Sequence, residues 1–425
     1  AREMALAAPR SFIQRGYHGA MGTQYRNSLQ LVRAVACING LLGNFNQRGG
    51  LYFADKVKLG KLDPAKFAKP DDVEGPMTDG SGDPERYPLT DGQGITHAIP
   101  ELAMQGKLKA GFVYHSNPIR TCPNPARVIE GYKKLELVVG FDYVLSETAS
   151  MCHYILPESF YLERDSVVHT EHSVNRKQVS IRQQAMKPLY DTKVVEDILR
   201  ELAPHLGIGE YFSFTLEEYN RAALAPLGIT LEQLNKEGVV EFGDEWRPGE
   251  PKFHTESGKL EFVSSVLEQY NLQKVPTWEE PLVAPDLNDA GSFRLIHGKQ
   301  AHHTHGRTVN QPYLMRITTQ HDWARAWIHP SRAKKLNIAD GDCMVLSSAI
   351  GKGRVRARLT EGIHPDCIYL PSPYGAFSRN LQYAKTKGQG GFGYGISYND
   401  FLPTYFDPVL GHNLSNEIVV RVEKG

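Results

Sequence analysis

The sequence predicts an α/β protein, a parallel-sheet α/β core followed, beyond a Pro-containing linker near residues 275–290, by an all-β barrel or sandwich. Two observations carry this. Between residues 109 and 160, apolar strand-like runs alternate with helical ones: "KAGFVYH", "ARVIEGYKKL", "ELVVGFD". Such alternation builds a parallel sheet with helices packed on it. Beyond residue 291 the pattern changes to short runs, "FRLIHG", "WARAWIHP", "DCMVLSSA", "GRVRARLTEG", "CIYLPSP" and "EIVVRVEKG". Turn signals at Asp340-Gly341 and Gly351-Lys352-Gly353 separate several of them, as in a barrel or sandwich.

The remaining elements follow in order. A helix-prone start, "AREMALAAP", leads to a predicted short strand at Ser11–Gln14 and a glycine-bearing loop, "RGYHGAMGTQYRNS". The amphipathic run "LQLVRAVACINGLLG" predicts a helix capped by Asn27 or Ser28 and stopped at Gly43. Residues 52–95 are rich in Pro, Gly, Asp and Lys and read as a surface insertion. "SETASMCHYILPES" adds a short helix and strand, and "TKVVEDILRELAPHLG" a helix ended by Gly207. The chain starts without an initiator Met or a signal peptide, in what reads as the middle of an α/β unit. The front of a longer protein is therefore expected to precede Ala1.

Composition narrows the function classes. With 425 residues, 48 Lys plus Arg against 48 Asp plus Glu, and 41% hydrophobic content, the chain is an ordinary globular one of zero formal charge. That gives no support to wholesale nucleic-acid or anionic-membrane binding. No run of eighteen apolar residues is present to span a bilayer. Cys37, Cys122, Cys152, Cys343 and Cys367 form no C-x-x-C pair, which argues against a zinc ribbon or a self-contained iron–sulfur site.

In parallel α/β sheets ligands sit beyond the carboxyl ends of the strands. Here those positions carry His115, Ser116, Asn117 and Asp142, an acid being suited to a base edge. Arg176, in "NRK", is a candidate for phosphate. Each has a plain structural reading as well, Asn117 as an Asx turn and Asp142 as a strand terminator. The densest signal is "HGKQAHHTHGRT" at 297–308, with four histidines, a lysine, an arginine and no acid. It reads as a metal site, a surface loop, or an anion or polar-cofactor site. Metal is disfavoured because the cations repel a divalent ion and no carboxylate or thiol completes a shell. The anion or cofactor reading assigns Lys299 and Arg307 to phosphates, and His302, His303, His305 and Thr308 to hydrogen bonds with a heteroaromatic. "SPYGAF" and "SYNDF" add Tyr374, Tyr398 and Asn399, polar-edged residues that serve hairpin packing equally well.

The ordered set "GYHGAMGTQYRNSLQLVRAVACINGLLGNFNQRGG", "HSNP", "DYVLSETASMCHYILPESFYLERD", "NRK", "FHTESGKLEF", "HGKQAHHTHGRT" and "WIHPSRAKKLNIADGD" resembles the molybdopterin oxidoreductases of the dimethyl sulfoxide reductase superfamily. The wording "THGRT.N.PYL" and "YGAF" resembles polysulfide and thiosulfate reductase catalytic subunits, with tetrathionate and arsenate reductases as neighbours. Where many relatives have Ala-Asp, this chain has Cys152-His153.

The resemblance implies a parallel-sheet α/β cofactor-binding core over residues 1–285, a C-terminal double-psi-like β-barrel over 291–425, and a bis-molybdopterin guanine dinucleotide carrying molybdenum or tungsten, with His18 joining the cofactor-binding residues named above. It implies that the metal's protein ligand and a 4Fe-4S cluster belong to the part preceding Ala1, since none of the five cysteines fits either. It further implies a small inorganic sulfur substrate, an iron–sulfur electron-transfer subunit, a membrane anchor subunit, and a place on the periplasmic face of the membrane. The alternatives from other classes are a non-redox nucleotide-binding α/β protein and a zinc hydrolase using the histidines.

Overall fold

Among the described residues, three β-sheets organise the chain. The computed structural model describes residues 1–14, 24–53, 56–72, 74–90, 94–171, 175–378 and 393–425. Contacts divide the chain into two compact units. The smaller comprises residues 1–14, 34–74 and 156–265, and the larger residues 15–33, 75–155 and 266–425.

The first sheet has the order β1 (Ala110–Tyr114), β2 (Leu137–Asp142), β3 (Tyr154–Pro157), with β1 and β2 parallel from Ala110↔Leu137 to Tyr114↔Phe141. The continuous run "VVGF" in β2 is buried along its length, as a central strand requires. β1 lies at the edge and leaves Phe112 and Tyr114 exposed. Helices Ile99–Met104 and Pro125–Tyr132 belong to the same layer, and Ala103, Ile119, Val128, Tyr132, Leu135 and Val138 form one cluster. Their contact is close enough to demand glycine. A Cβ on Gly131 would lie 2.4 Å from Cα of Pro100.

The smaller unit holds an antiparallel sheet of β4 (His169–Glu171), β5 (Lys177–Ser180) and β6 (Val239–Phe242). Val179, Leu224, Leu234 and Val240 form its core. The predicted strand at Ser11–Gln14 is not formed. Ile13 is held instead by the side chain of Asn39, which accepts from its N–H at 2.9 Å and donates to its carbonyl at 2.8 Å. A side-chain amide thus satisfies backbone groups that a neighbouring strand would otherwise pair. The helix from "LQLVRAVACINGLLG" runs over Ser28–Leu41, and Gly43 follows it at φ +61°. Within 52–95, no helix or strand of two or more residues forms among the described residues, yet parts are buried. Val57 and Leu59 pack on the core of the smaller unit, and Tyr87 and Ile95 cluster with Ala98 and Leu102 in the larger one.

The six terminal runs all become strands: β7 (Ser292–Lys299), β8 (Ala326–Ile328), β9 (Cys343–Ser347), β10 (Lys352–Leu359), β11 (Cys367–Ser372) and β12 (Val419–Lys424). They close into a barrel in the order β10-β8-β11-β7-β12-β9. Closure removes both sheet edges. β7 and β11 are parallel, with Ser372 opposite Lys299, so their carboxyl ends emerge together. The interior is packed by Phe293, Leu295, Ile328, Met344, Leu346, Ile368, Leu370 and Val422. Arg332 is held among the backbone carbonyls of Asp289, Ala290 and Ser292 and pairs with Asp366 at 2.7 Å.

Leu346 is wholly buried in this interior. Leu346→Ala is expected to lower stability by about 3 kcal/mol in urea denaturation, the transfer and cavity cost of a buried leucine. A loss under about 1 kcal/mol would mean that the barrel interior collapses around the deletion, or is less densely packed than described.

Candidate functional site

A cavity of about 580 Å³ lies in the larger unit where four strand ends meet. The ends of β1 and β2 contribute His115, Ser116, Asn117, Tyr143 and Glu147, and those of β7 and β11 contribute Lys299, Ser372 and Tyr374. The loop after β7 adds Thr304, His305, Arg307 and Thr308, and Ser397, Tyr398 and Asn399 complete the wall with Arg120.

Local backbone chemistry sets up the first side. His115 takes φ +45°, an uncommon conformation for a side-chain-bearing residue, and turns the chain out of β1. Its ring stacks on Tyr114 at 4.3 Å and meets Tyr143 edge-on at 5.1 Å. Asn117 opens the short helix Pro118–Thr121, but its side chain does not cap it. Its amide instead spans the two strand ends. Oδ1 accepts from the Thr148 N–H and Oγ1 at 3.1 and 2.8 Å, and Nδ2 donates to Glu147 at 2.8 Å.

Glu147 is a buried carboxylate that the sequence reading did not single out. Besides Asn117 it accepts from the backbone N–H groups of Phe377 and Ser378 at 2.7 and 3.0 Å. Arg120 was also missed. It pairs with Asp400 at 3.2 Å, donates to the Tyr374 carbonyl at 3.1 Å and lies over the Phe377 ring. Nothing in a lone "SET" or "IRT" triplet signals such roles, because the partners on the barrel side are some 230 to 280 residues away.

The histidine loop runs from Lys299 to a short 3-10 turn at Gly306–Asn310, ahead of helix Pro312–His321. Arg307 donates to the Tyr143 hydroxyl at 2.7 Å, lies 4.6 Å from its ring centre and pairs with Asp142 at 3.1 Å. Asp142 is only 5% exposed and accepts from the N–H groups of Tyr143 and Val144. Burial pushes its carboxyl above the ordinary carboxylate range, and Arg307 opposes that shift. His305 is held below its usual value by desolvation and then by Lys299 and Arg307, whose charges converge on it.

The predicted residues therefore divide. His115, Ser116, Asn117, Lys299, His305, Arg307, Thr308, Tyr374 and Asn399 line the cavity, as does Tyr398, whose ring stacks on His297 at 3.5 Å. Asp142 stands just behind, joined to the lining through Arg307. His302 and His303 are not on the lining. They point into a buried cluster with Thr318, because β7 ends at Lys299 and the chain turns His303 inward against helix Pro312–His321. Arg176 lies in the smaller unit, exposed, with its guanidinium donating to the Gly243 carbonyl at 3.4 Å. His18 lies outside the described residues. Cys152 and His153 do not line the cavity either. The thiol donates to the Thr148 carbonyl, and His153 Nδ1 accepts from the Val138 N–H. Among the described residues, no group of three or more His, Cys, Asp or Glu side chains is arranged to hold a metal ion.

Comparison with known proteins bears on what such a cavity serves. Residues 18–205 match the family Molybdopterin oxidoreductase, and residues 293–418 match the Molydopterin dinucleotide binding domain. The chain thus carries two successive segments that match molybdopterin oxidoreductase domain families. The thiosulfate reductase molybdopterin-containing subunit of Salmonella typhimurium is 28% identical over 461 residues, covering 96% of this chain and 57% of that protein. The arsenate respiratory reductase molybdopterin-containing subunit of Shewanella sp. is 25% identical over 505 residues, covering 100% and 58%. In fold the chain is similar to acetylene hydratase from Pelobacter acetylenicus, with a TM-score of 0.70 and 20% identity over 94% of this chain and 59% of that one. The chain thus spans a little over half the length of these relatives.

The cavity lies between the two matched segments of the family, with β1 and β2 in the first and β7 and β11 in the second. Its chemistry fits part of a molybdopterin dinucleotide, the group named by the second matched family. One carboxylate, Glu147, suits N–H groups, the cations suit a diphosphate, and Tyr143 and Tyr398 add aromatic rings.

Burial also makes stability depend on pH. His97, His297 and His303 are each pushed down to about 4 by desolvation. The unfolded chain binds their protons near pH 6.5 and the folded chain only near 4, so stability is full above that window and falls as pH drops through it. At pH 5 each costs about 2 kcal/mol relative to neutral pH. Urea denaturation at pH 7 and pH 5 is expected to show this loss, and equal midpoints would contradict it.

Proposed function

We propose that this chain is part of a molybdopterin-dependent oxidoreductase that reduces a sulfur oxyanion or polysulfide, and that its cavity binds the guanine nucleotide end of a bis-molybdopterin guanine dinucleotide. The observation that carries the reading is the meeting of Glu147 with Lys299, Arg307 and Arg120 around one cavity at the carboxyl ends of parallel strands, with Asp142 directly behind Arg307. The bound group would supply the two-electron transfer at molybdenum or tungsten. The chain's own residues bind and orient.

Asp142 and Glu147 would accept N–H groups of the base, which an adenine cannot offer in that pattern. Lys299 and Arg307 would hold the diphosphate, with His305 and Thr308 beside them. Asn117 keeps Glu147 in register with the end of β1, and Tyr398, backed by His297, forms a flat wall. This revises the expectation for His302 and His303, which stand behind the lining.

The substrate proposal rests on the thiosulfate reductase subunit and on the sequence resemblance, with the arsenate reductase as the neighbouring reading. Partners follow the same reasoning: a 4Fe-4S-bearing electron path, an iron–sulfur subunit, and a membrane anchor at the periplasmic face. Among the described residues, no helix is long and apolar enough to cross a membrane.

Two measurements test the proposal. The purified enzyme is expected to release guanine nucleotide on acid hydrolysis, with molybdenum or tungsten in its metal content. Asp142→Asn puts a donor where an acceptor is needed and is expected to cut nucleotide content about a hundredfold, given the steepness of such discrimination. Arg307→Ala is expected to cut it about tenfold, the loss of one charge-assisted contact. Full retention in both variants would defeat the cavity assignment. Reduced-viologen oxidation by thiosulfate, polysulfide, tetrathionate and arsenate identifies the substrate, and turnover with arsenate alone would replace the sulfur reading.

A further inference from the structure

A second cavity, of about 520 Å³, lies in the larger unit and shares no lining residue with the one described above. Its walls come from the entry and first turn of helix Ser28–Leu41, the segment 268–279 and the loop 407–409. Hydrogen bonds fix these walls in place. Arg33 donates to the carbonyls of Gln273 and Lys274 at 3.3 and 2.7 Å, and buried Gln30 donates to the first of these at 3.4 Å. The loop closes on itself, with the Asp407 N–H donating to the His412 carbonyl and the Gly411 N–H to the Asp407 carbonyl.

Most of the charge in this lining cancels. Arg26 pairs with Glu279 at 3.5 Å and Lys274 with Glu268 at 2.6 Å, all on partly exposed side chains. Asp407 differs, being only 3% exposed. Its Oδ1 accepts from the N–H groups of Val409 and Leu410 at 2.9 and 2.7 Å. Its Oδ2 has no hydrogen-bond partner among the described residues, yet it is not sealed off by protein. Among those residues no ion pair reaches Asp407 either. His412 feels its charge, but burial holds that ring below its ordinary value against the pull of Asp407, so it is neutral at pH 7.

The described lining therefore carries two cations against three carboxylates, and the surplus charge is the buried one. A carboxylate so placed has lost most of its hydration with no cation in return. Leu29, Leu272, Pro408 and Val409 supply apolar wall beside it. Such a slot suits a cation on a hydrocarbon stem, because the stem covers the wall while the head meets the charge. The single open oxygen favours an ammonium over a guanidinium, whose fork needs two acceptors. A divalent metal is a poorer match, since no group of three or more His, Cys, Asp or Glu among the described residues is arranged to hold one.

We propose that this second cavity binds a primary ammonium group on an unbranched alkyl stem, with Asp407 Oδ2 as its counter-ion. A free alkylamine and the lysine side chain of a partner protein share that chemistry. The site does not depend on the nucleotide reading of the first cavity.

The test is calorimetric titration of the full chain at pH 7 with pentylamine, with pentanol, and with a Gly-Lys-Gly peptide blocked at both ends. Pentylamine is expected to bind about thirtyfold more tightly than pentanol, the worth of a charge-assisted contact. Asp407→Asn keeps the Oδ1 acceptor that the loop needs and removes the charge. It is expected to weaken pentylamine about thirtyfold and to leave pentanol unchanged. Leu272→Trp narrows the slot without touching the loop, and is expected to weaken pentylamine and the peptide alike. A peptide that binds more tightly than pentylamine assigns the site to a partner's lysine, and the reverse order assigns it to a free amine. No binding of either by the unsubstituted chain would overturn the proposal. So would equal affinity for pentylamine and pentanol, or unchanged pentylamine binding in Asp407→Asn or Leu272→Trp.

Discussion

Asp142 ends a strand that is buried on both faces, and a carboxylate cannot remain charged there without compensation. Two backbone N–H groups and the guanidinium of Arg307 provide it. The pair joins the parallel sheet to the loop leaving β7, and the cavity takes its form around that join. Tyr143 lies under Arg307, which fixes the approach of the loop, and the loop in turn brings Lys299 and His305 to the same opening. A buried ion pair is weak evidence of stability, since desolvation offsets most of its attraction. Its value here is positional.

A second layer of polar contacts holds the lining groups at fixed angles. Asn117 and Thr148 tie the ends of β1 and β2, and Glu147 carries that tie to the backbone of Phe377 and Ser378. Arg120 does the same for Tyr374 and Asp400, and Asn399 donates back to the Arg120 carbonyl at 2.7 Å. Long side chains lose rotamer freedom once, on folding, and not again when a ligand arrives. The lining is accordingly ordered before any ligand arrives.

How much of this was legible varies by element. The six barrel strands and β1 and β2 were readable because period-2 alternation and buried apolar runs are local signals. The strand expected at Ser11–Gln14 failed for a reason that is not local. Whether an extended segment joins a sheet depends on what lies beside it, and here that is Asn39. Within 52–95, composition marked irregular backbone correctly but could not show that Tyr87 and Ile95 would find a hydrophobic cluster.

At the site, residue type and loop position pointed to His115, Ser116, Asn117, Lys299, His305, Arg307 and Thr308, and all of them line the cavity. By itself the sequence determined the α/β-plus-barrel class, the strand ends where polar groups collect, and the cation-rich, acid-free loop. These depend on periodicity and composition over a few residues. Only the tertiary structure decided that Arg307 pairs with Asp142, that Glu147 and Arg120 belong to the lining, that Arg176 does not, and that His302 and His303 face inward. Those outcomes depend on contacts between residues 15 to 280 positions apart. No local pattern encodes such contacts, because they exist only once the strands have set the loops side by side.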